Sequence, residues 1–326
     1  SAQDRCRIRT TANSHPDMCV ARFAGTLLSL GVVASGHLRT SRTSDPVDQD
    51  VGDCFALHHD EDSLEGCLLA YLQKYMPSWD TTNLGTLQLA ILNDTVDLSL
   101  EARQSYGWAA DIPWPIWRNW VLPFASVNEA RNSWRSLFKE RLANLTASPE
   151  FRQLHRIADA TGKLNSVLWT TVSPGSTIVF KSEQTPKIYD PMSTIAFGYT
   201  SCTGISLMLV DGLRTIGIPA CLVGTPAWNG KVANGNHNWV EVWLGHELGW
   251  SFMEGLLAGS GSLADPCTKW FCSAAKMDGT EVFTEQWDSM SNDTIYPMAW
   301  DLINQEIPGL NRTHYYREIC STCGEV

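Results

Sequence analysis

A chain of 326 residues, 44% of them hydrophobic, can bury a large core and still carry a cleft, and it stands at the upper edge of a single domain. Its 24 Lys and Arg against 35 Asp and Glu give a formal net charge of −11, and no basic run is long enough to follow a phosphate backbone, which argues against a nucleic-acid partner. The apolar stretch 23–34 is broken by Gly25 and Gly31 and is too short to cross a bilayer, so no membrane span is expected.

In chain order, residues 1–110 read as a mainly helical, disulfide-containing region, with apolar side chains at helical spacing over 66–75. The opening Ser1-Ala-Gln-Asp-Arg5 lacks the apolar h-region of a signal peptide, so the numbering is expected to start after cleavage. The 10 cysteines fall mostly in polar, turn-rich stretches, the usage of an oxidising compartment. Sequons at Asn93, Asn144, Asn292 and Asn311 agree, and together they predict a secreted glycoprotein, extracellular or at a cell surface. With Cys202 and Cys221 set aside, Cys6, Cys19, Cys54, Cys67, Cys267, Cys272, Cys320 and Cys323 can all pair, most simply with their neighbours: 6 with 19, 54 with 67, 267 with 272, 320 with 323. A zinc site from Cys54, His58, His59 and Cys67, or from Cys320 and Cys323, lacks a second ligand pair at finger spacing. No metal and no cofactor are therefore expected, and His58 and His59 read as part of a solvated loop.

Residues 111–124 alternate proline with tryptophan, which predicts an extended or turning backbone that presents rings for packing. Helical periodicity returns over 127–145, with Trp134, Leu137, Phe138 and Leu142 on one stripe, and again over 163–172. A third helix is expected over 202–217, with Ile205, Met208, Leu209, Leu213 and Ile216 near one face and Gly217 to end it. Cys202 opens that helix. Unpaired N–H groups and the positive end of the dipole there favour thiolate and can hold an oxyanion. The competing reading is a core or bridged cysteine that happens to fall at a helix start.

Three β-rich runs follow, 218–225, 238–244 and 249–254, separated by turn signals at 229–230, 234–235 and 245–246. The period of two sets His237, Trp239, Glu241 and Trp243 on one face. An imidazole at the strand's start can take the thiol proton and deliver it to a leaving amine, and Glu254 on the neighbouring strand can fix its tautomer. Asp265 is the nearest substitute should Glu254 point away. Trp169 is a candidate oxyanion donor through its indole N–H. Trp228 and Trp239 are candidate cleft residues, although such rings, Trp243 included, serve more often as hydrophobic cover. Asn236 and Asn238 read as turn formers, Glu241 as facing a structural partner, and Cys221 as an inert buried thiol.

Taken together, Ser201-Cys-Thr-Gly, Gly217-Ile-Pro-Ala, Gly224-Thr-Pro-Ala-Trp, Asn236-His-Asn-Trp-Val-Glu-Val-Trp and Gly249-Trp-Ser-Phe-Met-Glu resemble, in order and spacing, the core of the transglutaminase-like superfamily over about 165–260. The run 112–135 is similar to the helical segment before that core in bacterial transglutaminase-like domain proteins. The resemblance implies an α+β fold in which a nucleophile-bearing helix packs on an antiparallel sheet, within a domain over 111–326 that ends in a disulfide-bridged extension. It also implies a papain-like triad on Cys202, His237 and Glu254, the last position being aspartate in most of the superfamily. Such a triad attacks a peptide or protein amide through a thioester on Cys202, resolved by water or by a primary amine acceptor. Protease, deamidase and transglutaminase chemistry all fit. The absence of an EF-hand calcium pattern inclines the expectation away from a calcium-switched cross-linker. The alternative is a non-catalytic structural glycoprotein that assembles with matrix or surface partners.

Overall fold

The computed structural model describes residues 61–82, 84–288 and 294–324, all within one compact unit. The expectations for Cys6, Cys19, Cys54, His58, His59 and Asn292 lie outside these residues. Helices α1 (Glu61–Tyr75), α2 (Thr86–Ser105), α3 (Trp114–Trp120), α4 (Trp134–Ala147) and α5 (Ile157–Thr171) come first. A two-residue strand β1 (Val179–Phe180), helix α6 (Pro191–Phe197) and strand β2 (Tyr199–Thr200) lead into α7 (Cys202–Thr215). Then come β3 (Ala220–Thr225), β4 (His237–Trp243), β5 (Trp250–Met253), β6 (Phe283–Glu285), β7 (Gly309–Asn311) and α8 (Thr313–Cys320).

The last five strands form one antiparallel sheet in the order β5-β4-β3-β6-β7, so the class is α+β as the sequence implied. Helix α7 lies between layers: α2, α4 and α5 pack on it from one side, β3 and β4 from the other. Every residue from Thr203 to Thr215 is consequently buried. The apolar face read from the sequence is thus part of a helix enclosed on all sides, the environment expected of a central element. The core around it runs from Leu68 of α1 to Trp243 of β4 and Trp287 without a break.

Two local expectations are corrected. Residues 114–120 are helical rather than extended: Pro115 falls in the first turn, where its missing N–H leaves no hydrogen bond unmade, and Trp117 and Trp120 are buried. Helix α4 begins at Trp134 rather than Val127, the preceding side chains being engaged in a local turn and in a long-range ion pair. The Glu129 carboxylate accepts the N–H groups of Ser126 (2.6 Å) and Val127 (2.8 Å), and Arg131 pairs with Asp80 at 2.9 Å. Buried Arg135 donates to the carbonyls of Val121 (2.8 Å) and Arg214 (2.9 Å), which ties the end of α3 to the end of α7.

The nearest-neighbour disulfide pairing is also corrected at the C-terminal end. Cys267 bonds Cys323 and Cys272 bonds Cys320. Cys320 ends α8 and Cys323 lies in the turn just after it, and both reach the segment 267–272 instead of each other. Cys67 is disulfide-bonded as well. Among the described residues no helix is long and apolar enough to cross a membrane.

Candidate active site

Ser201 caps α7 in extended conformation, and its hydroxyl hydrogen-bonds that of Thr185 at 2.7 Å. Cys202 is therefore the first helical residue; it is a free thiol and partly exposed. Gly204, one turn into the helix, is required by packing: a Cβ there would fall 1.9 Å from Thr200 Oγ1, which itself donates to the Ile188 carbonyl at 2.7 Å. The strand before α7 can press against the helix start because that side chain is missing.

His237 opens β4, paired with Thr225 of β3, and is buried with 6% of its surface exposed. The β4–β5 ladder pairs Val240 with Met253. Carried one residue further, it sets Glu254 across from Trp239, two positions from His237 and on the same face. Diagonal neighbours of that kind are about 7–8 Å apart at the backbone. A glutamate has the reach for this offset: Oε1 lies 2.6 Å from His237 Nε2. The other ring nitrogen is left for Cys202, whose side chain acts on the imidazole electrostatically. The structure thus brings together the three residues that the sequence singled out from separate elements.

The electrostatics follow from this arrangement. Burial alone would push the Cys202 thiol up, but the neighbouring His237 and its charge, with the backbone N–H groups of Asn238 and Thr203, outweigh it and hold the thiol below its ordinary value. Burial would likewise lower His237, yet the Cys202 side chain and the hydrogen bond to Glu254 raise the imidazolium to about 10. A thiolate–imidazolium pair is the state these opposing influences favour.

Asn238 does not form a turn, as its type suggested. It lies within β4, where its carboxamide accepts from Thr203 Oγ1 at 2.9 Å and donates to Tyr296 OH at 2.6 Å. That bridge ties the first turn of α7 to the strand carrying His237. Gly224 makes room for it, since a Cβ there would lie 2.1 Å from Asn238 Nδ2.

Residues 152–255 match the family model of the transglutaminase-like superfamily. The chain contains a transglutaminase-like core. No curated protein and no solved structure matches the chain. The matched segment holds Cys202, His237 and Glu254 and stops one residue after the glutamate; Tyr296 and both C-terminal disulfides lie beyond it.

Other expectations for the transglutaminase-like core come out differently. Trp169 is not the oxyanion donor, because its N–H is spent on the Asn165 carbonyl one turn back, at 2.7 Å, and its ring packs beneath Gly255. Trp228 and Trp239 do not line a cleft. Both are buried, their rings stack at 6.2 Å, and Trp239 Nε1 donates to Tyr316 OH at 2.8 Å. Asp265 caps the turn at Cys267, accepting its N–H at 2.9 Å. Glu241 does face structural partners, Arg312 at 3.0 Å and Tyr316 OH at 2.8 Å, and Cys221 is buried, with burial raising its thiol well above the ordinary value. Asn93, Asn144 and Asn311 are exposed. Among the described residues no group of acidic, histidine and cysteine side chains could hold a metal ion.

One neighbour of the site escaped the sequence reading. Trp270 stands in an irregular loop, and its N–H donates to Glu254 Oε1 at 3.2 Å. No periodicity marks it; a hint lay in its position between Cys267 and Cys272, which restrain the segment.

Proposed function

We propose that the transglutaminase-like core is a cysteine-dependent acyl-transfer site for peptide or protein amides, in a protein exported to an oxidising compartment. The observation that carries this reading is the buried His237–Glu254 hydrogen bond, 2.6 Å long, with the Cys202 thiol at the start of α7 close enough for its charge to act on the imidazole. The Cys202 thiolate attacks the amide carbonyl carbon, and first-turn N–H groups of α7 are the donors available to the oxyanion. As the C–N bond breaks, the His237 imidazolium gives its proton to the departing amine, leaving a thioester on the sulfur. Water or a primary amine then attacks, His237 takes the proton back, and the sulfur is released. Glu254 holds the ring in the orientation for both transfers and stabilises its charged form. Two C-terminal disulfides, a further bonded cysteine at 67 and exposed sequons at Asn93, Asn144 and Asn311 support the exported setting.

Iodoacetamide labelling followed by peptide mass spectrometry tests the proposal. Cys202 should alkylate faster than Cys221, well below the pH at which an ordinary thiol ionises, and His237→Ala should abolish that advantage. A Cys202 rate equal to that of a simple thiol and indifferent to His237→Ala would leave the structural-glycoprotein alternative in its place.

A further inference from the structure

Past the matched segment, a second donor reaches the carboxylate of the proposed triad. Trp270 Nε1 lies 3.2 Å from Glu254 Oε1, the oxygen that His237 Nε2 meets at 2.6 Å. The indole and imidazole ring centroids are 5.0 Å apart. Trp270 is 43% exposed, whereas His237 and Glu254 are 6% and 1% exposed. One side of the indole therefore meets solvent while the other covers the buried His–Glu pair. The loop that carries it is held at both ends, by Cys267 to Cys323 and by Cys272 to Cys320. Between them, the buried ammonium of Lys269 donates to the carbonyls of Ser262 and Asp265.

Two donors on one oxygen resist rotation of the carboxylate, and a ring over the pair keeps out water that would screen its attraction for imidazolium. We infer that Trp270 is a positioning residue for the proposed site: it acts through Glu254, fixing the carboxylate and shielding the Glu254–His237 hydrogen bond. The inference rests on the acyl-transfer reading above, and neither half of the indole's role follows from the matched core, which ends before it.

The test uses the full chain and needs no substrate. The rate of Cys202 alkylation by iodoacetamide is followed against pH for the parent, Trp270→Phe, Trp270→Ala, Glu254→Gln and the Glu254→Gln/Trp270→Phe pair, with thermal unfolding to confirm each fold. Phenylalanine keeps most of the ring and removes the N–H, so water takes its place on Oε1. The acid limb of the profile should then move up by about 0.5–1 pH unit, a loss of roughly 3–10-fold in rate on that limb. If Trp270→Ala does not fold, Trp270→Phe carries the test. In the Glu254→Gln background the same change should move the limb by less than about 0.2 unit, because the carboxylate charge that the indole shields is gone. A limb that Trp270→Phe leaves in place overturns the inference, as does a shift equally large with and without Glu254. A parent limb at the ordinary thiol position, unmoved by His237→Ala, overturns the acyl-transfer reading and this inference with it; a low parent limb indifferent to Trp270 overturns the positioning role alone.

Discussion

Replacing Glu254 by glutamine removes one charge and little else. The side chain keeps its length, Oε1 can still accept from His237 Nε2 and from Trp270 Nε1, and the space beside Gly259, whose Cβ would lie 2.3 Å from Oε2, remains filled. What is lost is the attraction between a carboxylate and an imidazolium that meet at 2.6 Å in a buried site. With an effective dielectric constant of about 20, charges about 4 Å apart interact by ~4 kcal/mol, and desolvation of the carboxylate takes back part of that. An opposite charge at such range moves a pKa by about 1–3 units, at about 1.4 kcal/mol per unit. Because the thiolate is stabilised by the same imidazolium, the acid limb of Cys202 alkylation should climb by a similar amount, and the rate on that limb should fall by roughly 10-fold or more. Stopped-flow alkylation across pH, with peptide mapping at Cys202, measures it. A folded Glu254→Gln protein whose limb lies within about 0.3 unit of the parent's would refute the claim that the carboxylate stabilises the ion pair.

The pH dependence of turnover should show the same pair: kcat/KM rises as the thiol, held down by His237, ionises, and falls as the imidazolium, raised to about 10, loses its proton. A rising limb at the ordinary thiol pKa would contradict it. In Gly255→Ala the new methyl would stand 2.5 Å from Ile205 Cγ2 and 2.9 Å from the Trp169 ring, so denaturant unfolding should report a loss of about 1–3 kcal/mol, along with slower Cys202 alkylation as Glu254 is displaced. The two C-terminal disulfides join the same pair of segments, with sequence separations of 56 and 48. With Cys272–Cys320 intact, the outer bridge closes a ring of only about ten residues, so Cys267→Ser/Cys323→Ser should lose about 2–3 kcal/mol rather than the ~4 kcal/mol of an isolated long loop. Equal losses from removing either bridge alone and from removing both would refute that ring argument.

The catalytic candidates were legible because each sits where local rules are strong. Cys202 follows a capping serine, His237 begins a strand, and Glu254 directly follows the end of the next one, so helix period, strand propensity and turn signals suffice to place them. Trp114–Trp120 misled because proline reads as a breaker unless its position within the first turn is known. The aromatic assignments failed for a different reason. Trp228, Trp239 and Phe271 stack into a shared cluster that also takes in Tyr316 of α8, nearly eighty residues from Trp239 in sequence; no local window contains that partner. The disulfide pairing was hidden likewise, since it depends on which side of α8 faces the 267–272 segment.

The residues that hold the proposed triad come from both sides of the boundary at 255. Thr203 and Asn238, within the matched segment, link the nucleophile's helix to the histidine's strand, but the carboxamide donor of Asn238 is satisfied by Tyr296, outside it. Glu254 is the last residue but one of that segment, and its second donor, Trp270, is outside as well. Both outside residues reach the site because the chain after 255 is itself anchored: β6 pairs with β3, β7 pairs with β6, and the end of α8 with the turn after it is bonded twice to the Trp270 loop. A buried carboxamide left without its acceptor and a buried carboxylate left without its second donor would each face an unmet hydrogen bond at a cost of about 1–3 kcal/mol. The extension is therefore structurally part of the candidate site, and a chain truncated after 255 should lose the low-pH reactivity of Cys202 even though all three residues of the proposed triad remain.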